Sequence, residues 1–147
     1  NSLNDAVRDL PEGVTTAMHM CRGNFQSTWA AQGGYEPVAE QVFNTVNVNA
    51  LFMEFDSDRA GGFEPLRFVP ADMIIVLGLV TTKTAELEAK DDLKRRIEEA
   101  AKFIDISRLC LSPQCGFSST HHGNKITVDD QKAKLNLVVE VASEVWS

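Results

Sequence analysis

The chain has 147 residues and a formal net charge of −7, from 14 Lys and Arg against 21 Asp and Glu. Hydrophobic residues at 44%, with 9 Gly, 5 Pro and 3 Cys, exclude a disordered, collagen-like or disulfide-stapled chain. The negative sign argues against a nucleic-acid backbone or an anionic membrane as the main partner. No apolar run approaches the roughly 20 residues of a transmembrane helix.

Residues 2–10 read as the end of a helix, closed by the turn signal Pro11-Glu-Gly13. Four short, near-continuously apolar runs follow, at 14–19, 50–55, 73–80 and 109–112. Each fits a parallel strand buried on both faces. Between them lie helical patterns. Residues 35–44 predict a short helix with Pro37 in its first turn. Residues 85–104 predict a longer one, with Leu93, Ile97, Ala100, Ala101 and Ile104 on its apolar face. Residues 59–67, with Gly61, Gly62 and Pro65, predict a loop holding at most one helical turn. Thr127 and Asp130 predict a capping box, opening a helix whose Leu135, Val138, Val139, Ala142 and Val145 share one face. The order is strand, loop, helix, repeated about four times, which predicts an α/β fold with a parallel sheet. An open doubly wound sheet and part of a (β/α)8 barrel both satisfy it. Neither a dinucleotide fingerprint nor a P-loop is present.

The chemistry-bearing residues sit where strands end. His19 and Cys21 close the first run, and residues two apart in extended chain point to one side. Glu54 ends the second run, flanked by apolar residues; it is either a metal ligand or a buried ion-pair partner. Cys115 follows the fourth run and is either a ligand or a small buried hydrophobe, whereas Cys110, inside the strand, reads as core. In a parallel α/β fold such strand ends gather at one face, and one His, two Cys and one Glu suit tetrahedral Zn²⁺. Asp56, Asp58 and Arg59 are substrate contacts or a solvated ion-pair cluster. Lys83 ends the third run at the same face. Asn24, Trp29 and Tyr35 contact a ligand or pack the long first loop, and His121-His122 reads as a surface pair. The odd number of widely spaced cysteines fits free thiols in a reducing, cytoplasmic compartment.

Five segments together resemble the C-terminal part of cobalamin-independent methionine synthases and their short relatives. They are His19-Met-Cys-Arg-Gly-Asn24, Met53-Glu-Phe-Asp-Ser-Asp-Arg-Ala-Gly61, Leu77-Gly-Leu-Val-Thr-Thr-Lys83, Leu93-Lys-Arg-Arg-Ile97 and Ser112-Pro-Gln-Cys-Gly-Phe117. The resemblance implies the C-terminal half of a (β/α)8 barrel, strands five to eight, as a single partial domain over 1–147 of a longer chain. A complete barrel takes roughly 250 residues. It also implies a catalytic zinc held by His19, Cys21, Glu54 and Cys115; Asn24 and Asp56 are the candidate substrate contacts by their position near these residues. The implied reaction is methyl transfer from a 5-methyltetrahydropteroyl-glutamate to the thiol of homocysteine, giving methionine. The implied partners are therefore homocysteine, methylfolate and the N-terminal half of the barrel. The sequence departs from the long-form enzymes at one place: their proton-donating histidine falls at Lys83. That keeps two alternatives in view, a zinc-dependent alkyltransferase on another thiol such as coenzyme M, and a structural zinc module.

Overall fold

A computed structural model describes residues 2–25, 27–29, 31, 33–118 and 121–147, apart from the side chains of Asn24, Phe25 and Trp29. Helix α1 (Ser2–Ala6) leads into strand β1 (Ala17–Met20). The short strands β2 (Asn24–Phe25) and β3 (Thr28–Trp29) pair as an antiparallel hairpin inside the first loop. Then come α2 (Ala39–Phe43), β4 (Ala50–Glu54), β5 (Ile74–Val80), α3 (Lys90–Ala100), β6 (Leu109–Pro113) and α4 (Val128–Trp146). Strands β1, β4, β5 and β6 form one sheet in that order, with every pairing parallel. The predicted α/β class and parallel sheet are therefore observed. Among the described residues, no helix is long and apolar enough to cross a membrane.

The sheet has two unlike faces, which the sequence reading did not anticipate. Alternate strand residues point to opposite sides. Leu51, Met53, Ile75, Leu77, Leu79, Leu109 and Leu111 point one way. They pack on Phe43 of α2, Leu93, Ile97 and Ala100 of α3, and Leu137 and Val141 of α4. Burial of such a side chain is worth about 1.5–3 kcal/mol, so this layer holds the fold. On the other face, the register sets His19, Phe52, Val76 and Cys110 in one row. Phe52 is 37% exposed, and no described helix covers it. Burial of both faces holds for β5, where Val76 and Val80 are covered as well as Ile75 and Leu77, but not for the neighbouring positions His19, Phe52 and Cys110, which are exposed. Cys110, read as core, is exposed, because Leu109 and Leu111 take the helix side.

Element ends also shift for physical reasons. β1 begins at Ala17 rather than 14, after Thr16 is pinned by its main-chain N–H to Asn49 Oδ1 at 2.8 Å. Pro37 lies in the turn before α2 rather than in its first turn. α3 starts at Lys90, not 85, because Glu88 is drawn elsewhere. Its Oε1 accepts the Thr81 main-chain N–H at 2.7 Å and its Oε2 pairs with Lys134 at 3.1 Å. The loop at 59–67 holds two 3₁₀ segments, Asp58–Ala60 and Glu64–Phe68, where one turn was predicted. The capping box of Thr127 and Asp130 is present. Of the predicted face of α4, Val138 and Val145 pack against the core, but its buried residues are Lys134, Leu137 and Val141, while Leu135 and Val139 face solvent.

Candidate metal centre

The open face ends in a second row, Glu54, Gly78 and Ser112, at the C-terminal end of the sheet. Gly78 is required there. A Cβ at that position would lie 2.8 Å from Met53 O and 2.9 Å from Gln114 Cα. Its absence lets the chain leaving β6 close over the row, helped by an irregular register between Gly78 and Val80. The Gln114 main-chain N–H then donates to Val80 O at 2.8 Å. This course carries Cys115 across to the end of β1, and its Sγ lies 3.4 Å from His19 Nε2.

Cys21 joins them. One ligand atom from each of His19, Cys21 and Cys115 lies within 4.8 Å of the others. Tetrahedral zinc, with bonds of about 2.0–2.3 Å to nitrogen and sulfur, sets its ligand atoms roughly 3.5–3.8 Å apart. Two thiols and an imidazole at this spacing fit such an ion. Burial, with the Cys21 thiol beside it, pushes the Cys115 thiol up to about 12. In the protein alone Cys115 is therefore a neutral thiol, and a divalent cation between the sulfurs reverses that preference.

Glu54 stands beside this group but outside it. Its side chain is fully buried and held by cations. The main-chain N–H of Arg22, the residue after Cys21, donates to Oε2 at 2.7 Å. The Arg22 Nη1 lies 3.8 Å from the same oxygen. Arg59, whose side chain is 1% exposed, forms an ion pair with Oε1. Its Nη1 donates to Ala31 O at 3.0 Å. Tyr35 is buried against this network: the Glu54 main-chain N–H donates to its hydroxyl at 2.8 Å, and the Arg22 guanidinium lies 4.1 Å from its ring centroid. Burial raises the Tyr35 pKa above the ordinary phenol value. Of the two readings left open for Glu54, the geometry displays the buried ion pair. Arg22 was not singled out in the sequence, and nothing in its spacing marks it.

Lys83 and Asp56 meet at the β4–β5 side of the same rim. Lys83 Nζ donates to Asp56 Oδ2 at 2.6 Å and to Gln114 Oε1 at 3.2 Å. Both charged side chains are buried, so this is a desolvated pair rather than a solvated cluster; Asp58, by contrast, is exposed. Asp56 Oδ1 and Gln114 Nε2 are buried without a hydrogen-bond partner among the described residues. Gln114 links the two halves of the rim, since it touches Lys83 and adjoins Cys115. The side chain of Asn24 lies outside those described, as does that of Trp29. His121 and His122 are exposed, away from the ligand group.

A cleft of about 330 Å³ opens over the group, lined by His19, Phe52, Ser112, Gln114 and Cys115. A larger one, about 470 Å³, lies between the ends of β4 and β5 and the start of α3, and shares Asp56 with the rim. Two of the three donor residues, His19 and Cys115, line the smaller cleft.

Comparison with known proteins identifies the family and the fold. Residues 10–144 match the model of a family described as cobalamin-independent synthase, catalytic domain. The chain is 58% identical over 146 residues to the uncharacterised protein YxjG of Bacillus subtilis (strain 168), covering 99% of this chain and 39% of that protein. It superposes with a TM-score of 0.73 and 34% identity on a Listeria monocytogenes protein provisionally named a vitamin-B12-independent methionine synthase; 98% of this chain and 39% of that one are covered. The fold is shared with a B12-independent methionine synthase from Shewanella sp. W3-18-1 in complex with selenomethionine, at a TM-score of 0.69 and 20% identity, covering 91% and 40%. The chain therefore spans about two-fifths of the length of the relatives it matches.

Proposed function

The chain belongs to the cobalamin-independent synthase family, and from that premise we propose that it makes methionine by moving a methyl group from a 5-methyltetrahydropteroyl-glutamate to the thiol of homocysteine. The observation that carries this reading is the convergence of His19, Cys21 and Cys115 at one end of the open sheet face. Zinc bound there would hold a substrate thiol as its thiolate at neutral pH, and the thiolate is the nucleophile. Glu54, beside the group, would be the fourth residue to hold the ion before a thiol binds, and as the hardest donor of the set it would be the one a thiol replaces. The domain is strands five to eight of a barrel, and the exposed row at Phe52 is the surface its other half covers. The three free cysteines suit a reducing, cytoplasmic compartment.

The other residues take roles that their contacts support. Lys83 stands where the family histidine falls, and two of its three N–H donors are engaged by Asp56 and Gln114. The remaining N–H gives a proton to the leaving nitrogen of the donor. Asp56 keeps Lys83 oriented, and its unpartnered Oδ1 accepts an N–H of the substrate. Asn24 contacts substrate from the first loop. One feature favours a second reading: a buried lysine paired with Asp56 replaces an imidazole. That suits an electrophile other than methylfolate, such as an epoxide, with coenzyme M as the thiol. A purely structural zinc is disfavoured, because a closed structural site takes four committed ligands.

The test is turnover by the full-length, zinc-loaded protein. Homocysteine with 5-methyltetrahydropteroyl-triglutamate should yield methionine, and Lys83→Met should lower kcat by about 10²-fold or more while Lys83→His retains activity. Turnover of coenzyme M and an epoxide, with none of homocysteine, would move the assignment to the second reading. Inactivity with both pairs would end it.

A further inference from the structure

Glu54 presents a problem that its surroundings solve. A carboxylate with no exposed surface needs a positive partner at every moment, because an unpaired buried charge is strongly disfavoured. The proposed chemistry takes one partner away: when a thiol enters, Glu54 has to leave the metal. The structure shows a positive partner already in place for it. Its carboxylate rests against the Arg59 guanidinium and the Arg22 main-chain N–H, the latter at 2.7 Å. Arg59 is buried too, and its Nη1 is anchored on Ala31 O at 3.0 Å, so the guanidinium is already in place. Arg22 follows Cys21 directly, which puts this resting place one residue from the ligand group.

We infer that Arg59 is the positioning residue that receives Glu54 when a thiol displaces it, with the Arg22 N–H as guide; this rests on the metal reading above. The exchange balances. A thiol arrives, its proton passes to solvent, and the Glu54 carboxylate trades a cationic metal partner for a cationic guanidinium. Arg59 touches neither substrate nor metal in this scheme. It acts on thiol affinity by giving the displaced carboxylate a partner. The prediction is a split: Arg59 matters to thiol binding and not to metal binding, and it matters only while residue 54 is charged.

The experiment uses the full-length protein loaded with Co²⁺, which reports thiolate ligation by its absorption, and titrates it with L-homocysteine by calorimetry and absorbance. Arg59→Met should bind Co²⁺ with the normal thiolate absorption and bind homocysteine about tenfold or more weakly. Glu54→Gln should remove that dependence, so the Glu54→Gln/Arg59→Met double variant binds homocysteine as Glu54→Gln does. Arg59→Lys, which keeps the charge and loses the fork, should give a smaller loss that Glu54→Gln also relieves. It carries the test if Arg59→Met does not fold. Unchanged homocysteine affinity in these Arg59 variants would overturn the inference, as would an equal loss in the Glu54→Gln background, which would mark Arg59 as scaffold. Absence of any thiolate-to-cobalt absorption in the unsubstituted protein would overturn the metal reading as well, a result distinct from the other two.

Discussion

The two faces of the one sheet follow the same strands and serve different ends. On the helix side, Leu51, Met53, Leu77 and Leu111 interlock with α2, α3 and α4 into a close-packed layer. On the other side, the residues between them include the polar or small His19, Glu54, Gly78 and Cys110 beside the apolar Phe52, Val76 and Val80. The pleat of each strand makes this division, because it offers alternate residues to each side. Stability is therefore concentrated on one face and chemistry on the other, and the two respond differently to substitution.

The largest effect is expected on the covered face. Leu77 is fully buried among the helices, so Leu77→Ala should cost about 2–5 kcal/mol in urea unfolding. Gly78, the next residue, tests the boundary between the faces. Gly78→Ala adds a methyl 2.8 Å from Met53 O. It should cost about 1–3 kcal/mol as overpacking, and by displacing Gln114 it should also separate Cys115 from His19 and abolish metal binding. A Gly78→Ala variant that binds metal normally would break the link between this glycine and the site.

Smaller effects sharpen the contrast. Thr127→Ala removes the cap of α4, on the covered side, and should cost about 1 kcal/mol. The Thr127 hydroxyl and main-chain N–H hold the Asp130 carboxyl below its ordinary 3.8. A carboxyl lowered in the folded state stabilises above its unfolded value and loses that contribution as pH falls through the folded one. The cap should therefore act fully above about pH 4 and fade below it, and Thr127→Ala should flatten that acid limb in a thermal melt series. The smallest effect is expected for Phe52→Ala, about 0.5 kcal/mol or less in the 147-residue chain, since this side chain faces solvent. In the full-length protein the half-barrel reading makes it costly. Equal, small losses in both would contradict that reading.

Much of this was legible in the sequence, and the exceptions share a cause. The four strands were legible because short apolar runs between turn signals have few other solutions. The convergence of His19, Cys21 and Cys115 was legible through their motifs, whereas Glu54, expected with them, lies outside the group. The buried face of α4 was not, because Leu135 and Val139 are as apolar as Leu137 and Val141, and the choice is made by Lys134 reaching Glu88. Cys110 was misread for a similar reason, since an apolar run does not say which face is covered. The Glu54–Arg59 pair depends on the 3₁₀ turn at Asp58–Ala60, which folds Arg59 back on its own strand. Each miss turns on a specific three-dimensional contact, which composition and periodicity do not encode.

The central claim is that the open face holds a metal through His19, Cys21 and Cys115. It is tested most directly by measuring zinc per chain in the full-length protein and in Cys115→Ser, then following proton release as homocysteine is added. The account predicts one zinc per chain, lost in Cys115→Ser, and a proton released on homocysteine binding in the unsubstituted protein alone. Zinc absent from the unsubstituted protein, or retained in Cys115→Ser, or indifferent to homocysteine, would contradict it.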